Sequence, residues 1–166
     1  MQGPQQAGKF VYLKHPVMKP LIVLLVAFII SMVVLWLCGQ PGAYALAGRI
    51  AMAVMLLFTA SGHFAFTKGM VMMIPRFIPF KKATVYFTGI AEIILAVGLL
   101  FSRIYLVAGW AIIVLLVMML PANIYAAINK VDYQKGTYTG SGINYLWFRV
   151  PLQVFFVVWI YFTAIR

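Results

Sequence analysis

Five nearly unbroken apolar stretches divide this chain: Leu21 to Cys38, Ile50 to Thr67, Ala83 to Ser102, Ile104 to Ile128 and Tyr145 to Ile165. Each comes close to the roughly 20 residues that a helix rising about 1.5 Å per residue needs to cross a hydrocarbon core. The connections differ in character. Gly39, Gln40, Pro41 and Gly42 break the chain after the first run. Residues 68–82, KGMVMMIPRFIPFKK, mix apolar side chains with two prolines and flanking cations, as expected of an interfacial lid in the headgroup layer. Residues 129–144, NKVDYQKGTYTGSGIN, are rich in Gly, Thr and Ser without an apolar face and predict a flexible, solvated loop. The leader, 1–20, combines cations with Phe10, Tyr12 and Leu13, while Pro16 and Pro20 oppose a continuous helix; it reads as a cytoplasmic, membrane-surface segment. The pattern predicts an all-α polytopic membrane protein of five spans.

Composition agrees, with 65% apolar and 9% charged residues. A chain of 166 residues is used up by one helical bundle, so no separate soluble domain fits. The net charge of +11 suggests a nucleic-acid partner only until the cations are sorted by side. Lys9, Lys14, Lys19, Lys68, Arg76, Lys81, Lys82, Lys130, Lys135 and Arg149 fall on one side of the alternation, and Arg49, Arg103 and Arg166 on the other. The positive-inside rule then predicts a cytoplasmic N-terminus, a C-terminus on the opposite face, and the lipid bilayer rather than nucleic acid as the partner. Ala43, Ala45 and Ala47 stand where a signal peptidase would cut, but the preceding apolar run exceeds the 7–15 residues usual in a signal, which favours an anchor. The single cysteine, Cys38, excludes an intrachain disulfide and a CxxC pair, and is expected as a buried or interfacial thiol.

Glu92 is the one acid inside the apolar runs. A carboxylate in hydrocarbon costs at least about 2.5 kcal/mol, so it calls for a partner, a polar cavity or protonation. Counting along the helices from the predicted inner ends places Glu92 about 14 Å deep, His63 about 6 Å, Asn123 about 8 Å and Arg149 about 6 Å, with Gln153 one turn beyond Arg149. Four helices thus bring polar groups to overlapping depths. Gly89 and Ala96 flank Glu92 on one face, Ala126 and Ala127 follow Asn123, and Thr59 and Ala60 lie a turn from His63; such small residues mark close helix contacts. Pro121 withdraws a hydrogen bond from the carbonyl of Val117. His63, Glu92, Asn123, Arg149 and Gln153 are therefore the candidate lining of a polar pocket. Singly, each has a plainer role: Asn123 and Gln153 as interhelical glue, Arg149 and His63 as snorkelling anchors, and Glu92 in a structural ion pair with Arg149, His63 or Arg49.

No catalytic residue is assigned. The chain lacks redox cysteines, a metal-binding cluster and a phosphate-binding glycine loop, and His15 and His63 are placed too differently to hold haem, so neither metal nor haem is predicted.

The stretches FTASGHF at 58–64, IPRFIPF and VYFTGIAEIILAVGLL within 74–100, MLPANIYAAI at 119–128 and LWFRVPLQ at 146–153 resemble the DoxX and DoxX-like family of small bacterial membrane proteins. His63, Glu92, Pro121, Asn123, Arg149, Pro151 and Gln153 match its pattern, and the likeness runs from Arg49 to Arg166. The resemblance implies a DoxX-like four-helix membrane domain over 44–166, an extra N-terminal helix at 21–38, and a bacterial inner membrane location. Family members include proteins associated with a thiosulfate:quinone oxidoreductase, with redox complexes and, in distant animal relatives, with receptor assembly. Two functions follow as expectations. The first is a non-catalytic membrane subunit or assembly factor that associates with other membrane proteins, in a redox or respiratory setting. The second is a subunit that binds a quinone or another small amphipathic molecule, with Glu92 and His63 managing a proton and Asn123, Arg149 and Gln153 orienting its head. An open cavity would favour the second.

Overall fold

The computed structural model describes residues 18–166. Among them are six α-helices and no strand: α1 Lys19–Leu37, α2 Tyr44–Ala65, α3 Thr67–Met73, α4 Lys81–Gly98, α5 Tyr105–Ile128 and α6 Ile143–Ile160, the last running on into a π-helical turn Tyr161–Ile165. Every predicted apolar run is a helix. Four helical segments are long and apolar enough to cross a membrane: Lys19–Leu37, Tyr44–Ala65, Tyr105–Ile128 and Leu146–Ile165. Helix α4 is not among these, and it carries Lys81, Lys82 and Glu92.

Local chemistry sets the boundaries. Pro20 sits in the first turn of α1, where its missing N–H has no intrahelical acceptor to lose. The helix ends at Gly39, whose φ of 77° is left-handed; Gly39 N–H donates to Trp36 O at 3.1 Å and Gln40 N–H to Leu35 O at 2.9 Å, a Schellman closure that satisfies the last carbonyls. Helix α2 starts six residues before the predicted run because Tyr44–Arg49 continues a packed face of small residues. Ala47, Gly48 and Ala51 on that face are buried, and a Cβ at Gly48 would overlap the Thr163 side chain. The Gly48 carbonyl also accepts the Trp159 indole N–H at 3.1 Å. Gly109 meets Ala164 in the same way, with 3.1 Å between the position of an added Cβ and the Ala164 methyl. Backbones approach closely wherever side chains are this small.

Helix α2 is the hub of the bundle, packing against α1 on one side and α4 on the other, while α5 pairs with α6. Leu24, Met52, Met55, Leu99, Ile112 and Ile160 are fully enclosed. Of these, Leu99, Ile112 and Ile160 lie towards the end of the bundle where α2 starts. There Arg49 lays its guanidinium 4.0 Å above the ring of Tyr105, so it is not the partner of Glu92. Outward, α1, α4 and α5 expose many isoleucine, valine, leucine and phenylalanine side chains. An apolar exterior this extensive suits lipid better than water as solvent. Cys38, expected as a buried or interfacial thiol, is exposed just past the end of α1.

The two long connections carry structure that periodicity did not reveal. The expected lid, 68–82, contains α3 and then a bend in which Phe80 adopts a left-handed φ of 50°. The Lys81 ammonium closes that bend by donating to Ile74 O at 3.0 Å. Phe77 and Phe80 point outward, 81% and 85% exposed, beside Arg76, Lys81 and Lys82. The expected flexible loop at 129–144 is instead folded back on itself. Asp132 N–H donates to Thr137 O and Gly140 N–H to Lys130 O, at 2.8 and 2.7 Å, and the Asp132 carboxylate accepts from the backbone of Gln134 and Lys135. Tyr133 packs edge-on against Phe66, and its carbonyl occupies the space that a Cβ at Gly69 would need. A loop rich in Gly, Thr and Asp satisfies its own backbone groups, which an apolar pattern cannot announce. The leader, including His15, Lys9 and Lys14, lies outside the described residues apart from its end at Met18–Pro20.

Candidate functional site

The other half of the bundle holds an open cavity of about 590 Å³ between α2, α3, α4, α5, α6 and the start of α1, with loop residues Tyr133 and Gln134 at its edge. All five predicted residues, His63, Glu92, Asn123, Arg149 and Gln153, line it. Met55, Met70, Met119, Phe58, Phe66 and Phe156 contribute apolar parts of the remaining wall. A few polar groups converging in an apolar chamber of this size are typical of small-molecule sites.

The polar end is built by α2 and α4, which run antiparallel. Thr59 and His63 are one turn apart on α2, as are Thr88 and Glu92 on α4, so two rungs form. Thr59 Oγ1 donates to Glu92 Oε2 at 3.0 Å, and Thr88 Oγ1 lies 3.2 Å from His63 Nδ1. Between the rungs His63 Nε2 stands 3.4 Å from Glu92 Oε1. Glu92 is 4% exposed and His63 6%. This close approach depends on Gly89, where an added Cβ would lie 2.9 Å from the His63 Cβ.

The hydroxyl of Thr88 allows two hydrogen-bond arrangements of the imidazole. If the Thr88 hydroxyl gives its hydrogen to the carbonyl of Val85, 2.9 Å away, its oxygen accepts from Nδ1–H and the bare Nε2 faces the carboxyl group. If Thr88 instead donates to Nδ1, Nε2–H faces a carboxylate. The 3.4 Å separation exceeds that of a strong hydrogen bond.

Asn123 is 4% exposed and lines the cavity. The Gln153 amide nitrogen donates to Leu116 O on α5, leaving Oε1 buried and unpartnered. The carbonyl used is that of Leu116, one residue before the Val117 carbonyl freed by Pro121. Arg149 is half-buried in the cavity wall and has a partner of its own. Thr88, Tyr133 and Gln134 were not among the predicted residues. Thr88 was detectable as the position one turn before Glu92; Tyr133 and Gln134 join the site only through the loop fold. No cluster able to hold a metal ion occurs among the described residues.

These features define an all-helical protein, with helices fit to cross a membrane, whose bundle encloses a mixed polar and apolar chamber. The chain belongs to a family described as a domain of unknown function, DUF8561, whose model matches residues 52–164. That match takes in α2 from Met52 onward, α3 to α6 and every residue of the polar cluster, while α1 lies outside it. No curated protein and no solved structure matches the chain.

Proposed function

We propose that this chain is a five-span integral membrane protein of the bacterial inner membrane that binds a small amphipathic molecule, a quinone being the leading class. In this reading α4 is the fifth span. Its three charges are no obstacle: Lys81 and Lys82 sit at its end, and Glu92 is paired inside the bundle. The resemblance to DoxX-like proteins supports both the topology and the redox setting.

The carrying observation is the open chamber in which the Asn123 side chain and the His63–Glu92 pair share walls with methionine and aromatic side chains. A cluster serving only as interhelical glue would close on itself, as the Thr59–Glu92 rung does. Gln153 Oε1, buried without a partner, has not done so. The chain acts in this reading without catalysing a reaction alone, as a subunit alongside other membrane proteins. Helix α1 offers a surface for such partners, since it packs mainly on α2 and leaves most of its apolar face outward.

Native mass spectrometry of the protein released from its own membranes tests the proposal. One copurified amphiphile per chain is expected, lost in Asn123→Leu at unchanged thermal stability. A ligand-free particle that also fails to bind added short-tailed quinone saturably would sink the reading.

A further inference from the structure

We infer that the bend between α3 and α4 binds an anionic phospholipid, with Arg76 and Lys82 on its head group and Phe77 and Phe80 beside its acyl chains. The step rests on the membrane reading of the bundle and is independent of what the chamber holds. Chain direction gathers the end of α2, α3, the start of α4, the end of α5 and the start of α6 at one end of the molecule. The Tyr133 carbonyl fills the space beside Gly69 there, and the stems of Lys68 and Lys130 lie 3.5 Å from where Cβ atoms at Gly136 and Gly142 would stand. Lys19, Lys68, Arg76, Lys82, Lys130 and Lys135 are exposed at this end. Of the two acids in the chain, Glu92 is buried in the bundle, and Asp132 is spent on the N–H groups of Gln134 and Lys135 and on the Lys135 ammonium at 3.9 Å. At the opposite end Arg49 and Arg166 lie over the rings of Tyr105 and Phe162. The basic end thus keeps a positive potential that the chain itself does not neutralise.

Within that field the bend holds two phenylalanine rings outward, Phe77 at 81% and Phe80 at 85% exposure. Its geometry is fixed from within. Pro75 is buried, the Lys81 ammonium is committed to Ile74 O at 3.0 Å, and Phe80 takes a φ of 50°, a left-handed conformation that bulky residues rarely adopt. A strained backbone that turns a ring away from the protein needs an apolar medium for the ring to enter. Arg76 adjoins Phe77, and Lys82 follows Phe80 by two residues with its ammonium free to turn from the Tyr86 ring, 5.9 Å away. Aromatic rings at acyl depth with cations beside them seat a segment at the bilayer interface. The Arg76 fork suits a phosphate, and a second cation selects a head group whose phosphate no ammonium cancels.

The full-length protein in mild detergent would be titrated with short-chain phosphatidylglycerol and phosphatidylcholine, and adducts counted by native mass spectrometry. Phosphatidylglycerol should bind saturably and about tenfold tighter than phosphatidylcholine, with the ratio falling at high salt. Arg76→Gln with Lys82→Gln should bring the two lipids to within about twofold of each other, while Lys130→Gln with Lys135→Gln, at the same end but off the bend, should keep the preference. Asn123→Leu, in the chamber, should keep it too. Equal affinities in the unmodified protein overturn the inference even if no variant folds. A preference that survives Arg76→Gln with Lys82→Gln, or is lost equally in the Lys130 and Lys135 variant, marks a diffuse field and overturns the site. Loss in Asn123→Leu would put the lipid in the chamber, and displacement by inorganic phosphate would mark a site for free anions; either overturns it. Because the titration in detergent assumes no topology, these failures leave the five-span and chamber-ligand readings where they stand.

Discussion

Glu92 and His63 answer for each other. Breaking a buried charged pair on one side leaves the survivor uncompensated, and the resulting loss is of the order of 3 kcal/mol. His63→Ala should therefore lower the thermal midpoint in detergent markedly, whereas Glu92→Gln, which keeps the shape and still meets the Thr59 hydroxyl, should lower it much less. A double-mutant cycle checks this: a coupling of His63 to Glu92 indistinguishable from zero would show that the 3.4 Å contact carries no energy. The sequence exposed Glu92 as an anomaly and supplied its neighbours by depth, but left three basic residues as candidate partners. Arg49 proved to sit over Tyr105 at the other end of α2, and the choice of His63 followed from the facing of α2 and α4.

Helix α2 meets α4 through Gly89, and here the two glycines of the site behave differently. A methyl group at Gly89 would lie 2.9 Å from the His63 Cβ, which is held by the backbone and cannot swing aside. At Gly62, on α2 itself, the nearest atom is the flexible end of Met70 at 3.5 Å. Alanine gains up to about 1 kcal/mol over glycine in a helix interior, so Gly62→Ala should be neutral or stabilising. Gly89→Ala should instead destabilise by about 1–3 kcal/mol and weaken ligand binding, because the helices must part where the polar rungs meet. Melting curves and binding titrations on the two variants decide the matter. Equal behaviour would mean that α2 and α4 do not approach as closely as described. The helices themselves were legible in the apolar runs to within a few residues at most ends, and small residues marked the contact faces. The order within 129–142 was not legible, because it comes from backbone hydrogen bonds and an Asp side chain rather than from buried apolar area.

At the scale of the whole molecule, five-span topology puts the single cysteine to use. Cys38 is exposed at the C-terminal end of α1, and a cytoplasmic N-terminus would place it on the outer face. A membrane-impermeant maleimide should label it in intact spheroplasts, Cys38→Ser serving as the blank, and a cysteine placed at Thr139 in that blank should be labelled only after lysis. Labelling of both sites from the same face would rule out the alternation of five spans. What the sequence carried alone was the helical elements and the spacing of polar residues along them: apolar runs of near-spanning length and polar side chains at overlapping positions, all properties of one helix at a time. Only the tertiary structure decided which groups meet, where the bundle closes and where it stays open. Those outcomes depend on the rotation of each helix about its axis and on close contacts such as Gly89 with His63, which are properties of pairs of helices that no single run of residues contains.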